Sequence, residues 1–236
     1  MEIGSIGQWF AASATTAAVL VALFKDEFLK WCRRPILSVS VALEPPHCHS
    51  TLLHYQAQRT TLTFVAAHCY YFRIWISNEG KSRAEKVQVF AAKLSRRVAD
   101  GSFHIEQSFL PMNLRWSHGK GPNEAPEIYA EGISPKMGKH CDLGHIVDPT
   151  CQAELSENLE SVPAGNAILA LDLEVAPNTR SHLLSPGTYL LELQIAGANC
   201  APVVKKLELT ITGKWFQDER KMFQDGIGLR VSEKDL

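Results

Sequence analysis

Histidine and cysteine are the residues of this chain with the greatest capacity for chemistry, and most of them fall in three short segments. Thiolate and imidazole are the usual ligands of zinc in proteins, and segments far apart in a chain can converge when it folds. The segments are PHCHSTLLH, AHCYY and GKHCDLGHI, and their candidate metal ligands are His47, Cys48, His49, His140, Cys141 and His145. These residue types make a metal centre the first hypothesis to weigh.

The spacing of these residues argues against a metal centre. The chain has no C-x-x-C knuckle and no His-Glu-x-x-His helix, the spacings that hold zinc locally. Neighbouring His and Cys residues in a strand point to opposite faces, so they do not readily share one ion. Loop histidines and small buried cysteines are the ordinary alternative. We therefore expect no metal or other cofactor, and a metal-dependent enzyme built on these clusters is the less favoured hypothesis.

Other catalytic patterns are equally weak. The chain contains no Gly-x-Ser-x-Gly nucleophile elbow. Gly80-Lys81-Ser82 matches the end of a phosphate-binding loop, but Trp75 occupies the position of the first glycine, and the next segment reads as a strand rather than a helix. We interpret this tripeptide as a connection between strands and expect no catalytic residue.

Alternating apolar and polar residues predict β-strands through most of the chain. The clearest runs are ILSVSVAL, CYYFRIWIS, AILALDLEV, TYLLELQI and KLELTIT. Turn residues separate such runs, and Asp100-Gly101 predicts a hairpin. Seven or more strands without a long helical period indicate an all-β antiparallel sandwich over residues 35–213. Residues 214–236 then form a C-terminal tail with one short amphipathic helix.

One predicted strand has an outward face suited to binding. Tyr71, Arg73 and Trp75 share that face, and exposed aromatic and Arg side chains are good anchors for a partner. The alternative is that a loop or helix covers the same face. The stretch from Trp116 to Pro149 is rich in Gly, Pro and Lys, which makes it a candidate binding loop.

Residues 1–24 predict a transmembrane anchor. No charged residue occurs from Ile3 to Phe24, and a helix of that length rises about 33 Å, close to the thickness of a bilayer's hydrocarbon core. Basic residues follow in the juxtamembrane segment 25–34, and positive flanks stay on the cytoplasmic side. These residues are Lys25, Lys30, Arg33 and Arg34. We therefore predict a single-pass inner-membrane protein with its N-terminus outside and its main domain in the cytoplasm; a buried or interfacial helix is the alternative.

Small residues recur at three- and four-residue spacing along the same segment. Such a stripe lets two helices approach closely, so it predicts self-association. The stripe consists of Gly7, Ala11, Thr15, Ala18 and Ala22. The alternative is a segment that is simply rich in alanine.

Bulk composition restricts the compartment and the partners. The formal net charge of -1 provides no basic field for binding nucleic acid. Six cysteines scattered through 236 residues resemble a reduced cytosolic set more than a disulfide framework.

Two stretches carry a resemblance to a known superfold. YFRIWISNEGKSRAEKVQVFAA resembles bacterial immunoglobulin-like and cell-adhesion-related domains, in which a strand ends in Asn-x-Gly. LLSPGTYLLELQI is similar to the tyrosine corner of fibronectin type III and immunoglobulin-like folds. The resemblance implies that the Tyr189 hydroxyl bonds to nearby backbone beside Leu184, Pro186 and Gly187. The Cys-Trp-Cys core of antibody domains is missing, so the resemblance implies the superfold alone.

These observations predict a membrane-anchored, non-catalytic interaction or accessory module with an unknown protein partner. The rival hypothesis of the same class places the sandwich outside the cytoplasm, as an envelope or adhesion module.

Overall fold

The computed structural model describes residues 6–56, 64–118, 127–151 and 165–232. One long helix, α1 (Ile6–Arg33), precedes the strands. Two short helical turns, α2 (Glu219–Lys221) and the π-helical turn Met222–Gly226, precede the last strand. The strands of the described residues are β1 Leu37–Ser40, β2 Cys48–Gln56, β3 Phe64–Asn78, β4 Ala84–Arg97, β5 Phe103–Ile105, β6 Met112–Asn113, β7 Ala130–Ile133, β8 Gly138–Val147, β9 Leu169–Leu171, β10 Leu183–Leu184, β11 Gly187–Gly197, β12 Cys200–Ile211 and β13 Ile227–Val231.

The strands form two antiparallel sheets. The first sheet has the order β1-β3-β8-β9-β10, and β2 pairs with the same strand β3. The second has the order β13-β12-β11-β4-β5, with β6 and β7 also paired to β4. The two long strands β3 and β4 therefore pair with more strands than any other in their sheets. This arrangement confirms the predicted all-β antiparallel class.

One hydrophobic core joins the two sheets. Alternate residues of β3, namely Phe72, Ile74 and Ile76, are fully buried in the same cluster as Leu191 and Leu193 of β11. A strand whose side chains alternate between core and exterior has the period of two that the sequence displays. The architecture is thus β-sandwich-like, with two antiparallel sheets around one core.

The chain crosses between the sheets immediately after β6. Leu114 bridges to Leu173 and Trp116 bridges to Cys141 of β8, while Arg115 accepts a backbone hydrogen bond from Asp142. The expectation of a binding loop from Trp116 to Pro149 was wrong, because this stretch contains β7 and the central strand β8. The large apolar residues of β8, namely Leu143, Ile146 and Val147, are buried, and the glycines and lysines around them obscure the strand pattern in the sequence.

The C-terminal stretch belongs to the fold rather than forming a tail outside it. β13 pairs with β12 from Ile227↔Ile211 to Val231↔Leu207, so the domain extends beyond residue 213. Where a short amphipathic helix was predicted, the structure has the three-residue helical turn α2, which has no buried residue, and the π-helical turn after it packs on the core through buried Met222. A five-residue strand next to a turn is too short to give a clear periodic signal.

The turn between β3 and β4 confirms that Gly80-Lys81-Ser82 connects two strands. Asn78 organises this turn because its buried side chain uses all its hydrogen-bonding capacity. Its Oδ1 accepts from the backbone of Ile36 (3.1 Å) and Gly80 (3.0 Å), and its Nδ2 donates to the carbonyls of Ser82 (2.7 Å) and Ile133 (2.9 Å). The turn therefore joins three chain segments.

The chain leaving α1 lies directly on this turn. A Cβ on Gly80 would lie 2.4 Å from the carbonyl oxygen of Arg34, so glycine is required for the close approach. The Glu79 amide also donates to the Ile36 carbonyl at 2.7 Å. These contacts fix the exit of α1 to one end of the sandwich.

The predicted corner around Tyr189 is formed. The Tyr189 ring is buried, its hydroxyl donates to the backbone carbonyl of Ser185 at 3.0 Å, and Arg96 lies over the ring at 5.5 Å. This contact fastens the start of β11 to the preceding turn, as the resemblance implied for this position.

Helix α1 is longer than the predicted anchor, since it continues through the basic segment and ends two residues before Pro35. Among the described residues, no helix has both the length and the apolar character needed to cross a membrane. The predicted transmembrane span is therefore not supported. Polar residues such as Ser13, Thr15 and Thr16 dilute the apolar character of its first half.

Candidate functional site

The outer face of the first sheet carries three cross-strand pairs of polar and aromatic residues. Tyr71, Arg73 and Trp75 of β3 lie opposite His145, Asp142 and His140 of β8, respectively. The pairing register shifts between Phe72 and Arg73, where Leu143 is the extra residue of β8. This bulge puts His145 on the same face as His140 and Asp142. With strict alternation, an odd-numbered residue of β8 would point to the opposite face. We call these six residues, together with His47, Ser117 and Asp172, the outer-face cluster.

The pair Arg73–Asp142 is the centre of this cluster. Arg73 Nε donates to Asp142 Oδ1 at 3.0 Å, and the Ser117 hydroxyl donates to the same oxygen at 2.5 Å. Burial raises the pKa of the Asp142 carboxyl, while the hydrogen bond from Ser117 and the charge of Arg73 oppose that rise. Both side chains are largely covered, with 12% and 18% exposed. The guanidinium is thus held in one orientation rather than moving freely in solvent.

Trp75 lies among histidines at one end of the cluster. Its ring centroid is 4.6 Å from that of His140 and 6.2 Å from that of His47. Gly138 makes room for the indole, since a Cβ there would lie 2.4 Å from Trp75 Cε2. The two imidazoles meet directly, with His140 Nε2 3.0 Å from His47 Nδ1. Burial, then the charges of His47 and Arg73, lower the pKa of His140 to about 4, so this imidazole is neutral at pH 7.

A second histidine–carboxylate contact lies at the other end of the cluster. His145 Nδ1 is 3.0 Å from Asp172 Oδ1, and the Tyr71 ring lies 5.4 Å from the imidazole. Burial, assisted by the charge of Asp172, raises the pKa of the Tyr71 hydroxyl. Tyr71 therefore stays protonated and can serve as a hydrogen-bond donor.

The cysteines of the sequence clusters do not join the histidines. Cys48, Cys69 and Cys141 are fully buried in apolar surroundings. Burial raises the pKa of Cys48 to about 11 and raises the pKa values of the other two as well, so all three thiols are protonated. In the part of the chain that the structure describes, no three His, Cys, Asp or Glu residues form a group that could hold a metal ion.

The structure brings together some predicted residues and adds others. His47 and His140 meet, His49 lies on the β2 side of Arg73, and the interaction candidates Tyr71, Arg73 and Trp75 share one half-buried face. Sequence reasoning missed Ser117 and Asp172. Neither has a local signal, because Ser117 reaches the cluster through the chain crossing after β6, and Asp172 reaches it from the end of β9 beside β8.

The candidates of the N-terminal segment are placed only in part. Lys25, Arg33 and Arg34 are exposed, as are Thr15, Ala18 and Ala22 of the small-residue stripe. The side chains of Lys30, Gly7 and Ala11 lie outside the described residues. Self-association through the stripe stays a prediction.

Comparison with known proteins adds no family to this description. No model of a protein family, no curated protein and no solved structure matches the chain. Membership of the immunoglobulin-like superfold stays a prediction that rests on the two sheets and the Tyr189 corner.

Proposed function

We propose that this protein is a non-catalytic interaction module with an immunoglobulin-like sandwich, attached by α1 to the cytoplasmic face of the inner membrane. The unassigned partner would be a protein that the sandwich binds at the membrane surface. Attachment to a membrane raises the effective concentration of a binding domain for partners confined to the same surface.

The observation that carries the proposal is the exposure of large apolar side chains along α1. Fully burying a side chain of this size gains about 1.5–3 kcal/mol, so a helix with several of them gains strongly from entering lipid. No charged residue interrupts the helix before Lys25. The exposed side chains are Trp9, Phe10, Val19, Leu20, Val21, Leu23 and Phe24, each at least 50% accessible.

The basic residues around the exit of α1 support the cytoplasmic orientation. Arg33 ends the helix and Arg34 follows it, and the β3–β4 turn that holds the exit adds exposed Lys81 and Arg83. Each such cation near an anionic leaflet contributes about 1 kcal/mol of attraction. The same end of the sandwich would therefore face the membrane, which directs the sides of the two sheets toward other proteins.

The outer-face cluster is the best recognition surface of the described residues. Binding energy concentrates in aromatic and Arg anchors that are held in place before the partner arrives. Arg73 is oriented by Asp142, and Trp75 is held against His140 and Gly138. These contacts reduce the side-chain entropy that a partner would otherwise have to remove.

The attachment is tested by replacing Leu20 and Leu23 with lysine in the full chain. We expect the unchanged protein to stay in the pellet when membranes are washed at alkaline pH, and the double variant to move largely to the supernatant. In the matched control, lysine replaces Ile105 and Val204, two exposed apolar residues of the sandwich. This control variant should stay in the pellet. An unchanged protein found in the supernatant of lysed cells would refute the attachment.

A reporter fused after Leu236 tests the orientation separately. We expect a fluorescent protein fused at this position to fluoresce in the cytoplasm. A phosphatase fused at the same position should be inactive. The reverse result would favour the rival hypothesis of an envelope or adhesion module, in which the sandwich lies outside the cytoplasm.

A further inference from the structure

We propose that His47 and His140 form a two-imidazole binding site for a divalent transition metal such as Cu²⁺ or Ni²⁺. The site goes beyond the proposed interaction module and does not depend on membrane attachment. It consists of residues from two distant segments, His47 before β2 and His140 in β8, which meet above the central strand β3. The cysteines next to both histidines take no part, because they are buried in the core.

The two nitrogen atoms are close enough to bind one metal ion. His140 Nε2 and His47 Nδ1 are 3.0 Å apart. With metal–nitrogen bonds of about 2.05 Å, two donors at this separation subtend an angle of about 94° at the metal. That angle is the one between neighbouring ligands in square-planar or octahedral coordination, which Cu²⁺ and Ni²⁺ adopt.

Loading the site requires only a small rearrangement. The two nitrogens now face each other in a hydrogen bond, so each ring must turn to aim its lone pair at a common point. The χ2 torsion of histidine is broad, which makes such a turn inexpensive. Both rings lie on the half-buried outer face rather than in the core, so the rotation displaces no core side chain.

The surroundings leave further coordination positions open to water or to a partner's donor group. Asp142 is already engaged by Arg73 and Ser117, so its carboxylate neutralises the guanidinium next to the site. His118 directly follows Ser117, whose amide donates to the His140 carbonyl at 3.1 Å, and it is exposed. A metal held by two imidazoles at this position would add a coordination bond to the contact between the cluster and its partner.

The test is an isothermal calorimetric titration in which NiCl₂ is added to the purified full chain in detergent. We expect one Ni²⁺ per chain, and binding at least about tenfold weaker in His47→Gln and in His140→Gln, since each variant keeps a single imidazole donor. The matched control is His104→Gln, which replaces an exposed histidine of the other sheet and should leave the titration unchanged. Equal binding by all four proteins would overturn the site.

Two further measurements keep the test decisive if a histidine variant fails to fold. Trp75 is 4.6 Å from His140, so Cu²⁺ at the site should quench its fluorescence; Trp75→Phe should weaken this quenching while calorimetric Ni²⁺ binding persists. Pulsed electron paramagnetic resonance of the Cu²⁺-loaded unchanged protein should show two coordinated imidazoles. Coordination without imidazole, or quenching as strong in Trp75→Phe as in the unchanged protein, would contradict the proposal.

Discussion

Replacing Asn78 with alanine is expected to lower the free energy of unfolding by about 4 kcal/mol, because each buried polar group left without a partner costs about 1–3 kcal/mol. The variant would remove the side-chain partner of four backbone groups, two amides and two carbonyls, at the point where the α1 exit, the β3–β4 turn and β7 meet; the bonds to Gly80 and Ile133 are buried. Equilibrium urea unfolding of the full chain, followed by near-ultraviolet circular dichroism, measures the change.

Asn199 provides a matched control for this prediction. Its side chain also bonds two backbone groups, the Arg83 carbonyl at 2.9 Å and the Glu85 amide at 3.0 Å, but it does so at an exposed position. Water can replace those partners, so we expect Asn199→Ala to cost about 1 kcal/mol or less. Equal losses in the two alanine variants would show that burial does not determine the strength of the Asn78 contacts.

An isosteric change separates the donors of Asn78 from its acceptor. In Asn78→Asp the two amides of Ile36 and Gly80 keep an acceptor, but an oxygen then faces the carbonyls of Ser82 and Ile133. A buried carboxylate without a cation is costly, so we expect the free energy of unfolding at pH 7 to fall at least as much as in Asn78→Ala. The loss should diminish as the pH falls and the carboxyl becomes protonated, since the neutral acid can donate a hydrogen bond.

Replacing Tyr70 with alanine is expected to destabilise the protein by about 4 kcal/mol, the usual cost of removing a large aromatic side chain from a core. Its ring lies 5.0 Å from that of Trp215 and 5.8 Å from that of Phe223, and its hydroxyl donates to the Phe216 carbonyl at 2.9 Å. The side chain thus holds the helical turn before β13 against the first sheet. Urea unfolding measures the loss.

A second variant separates the packing of Tyr70 from its hydrogen bonds. Tyr70→Phe keeps the ring and removes only the hydroxyl, so we expect a loss of about 1–2 kcal/mol. Hydrogen exchange of the amides of β13 should accelerate in Tyr70→Ala and stay nearly unchanged in Tyr70→Phe. Unaltered exchange in both variants would mean that the C-terminal strand does not depend on this contact.

The contacts of Asn78 and Tyr70 bear on the proposed function because they set the geometry around the outer-face cluster. The first fixes the direction in which α1 leaves the sandwich, and the second fixes the turn beside β2. If α1 enters a membrane, the end of the sandwich near Asn78 faces the lipid. The cluster then lies on the side of the molecule, where a membrane-bound partner can reach it.

Several features of this protein follow from local sequence alone. The alternation of Phe72, Ile74 and Ile76 with Tyr71, Arg73 and Trp75 is enough to predict a strand and to separate its core face from its outer face. The Asn-x-Gly turn and the Tyr189 corner are likewise recognisable, because their contacts join residues close in the chain. These features depend on backbone periodicity and turn chemistry, which a short window contains.

Only the tertiary structure decided which distant segments meet. His47 and His140 are 93 positions apart. The bulge at Leu143, which places His145 on the same face as Asp142, cannot be recognised from the residue types around it. The positions of two strands were also missed. β8 lies in a stretch that the sequence suggested was a loop, and β13 lies beyond the expected end of the domain. A periodic pattern reports which face of a strand is buried, whereas the choice of its neighbours depends on how the whole core packs. The fold class was therefore determined by the sequence pattern, and the site by the packing of strands far apart in the chain.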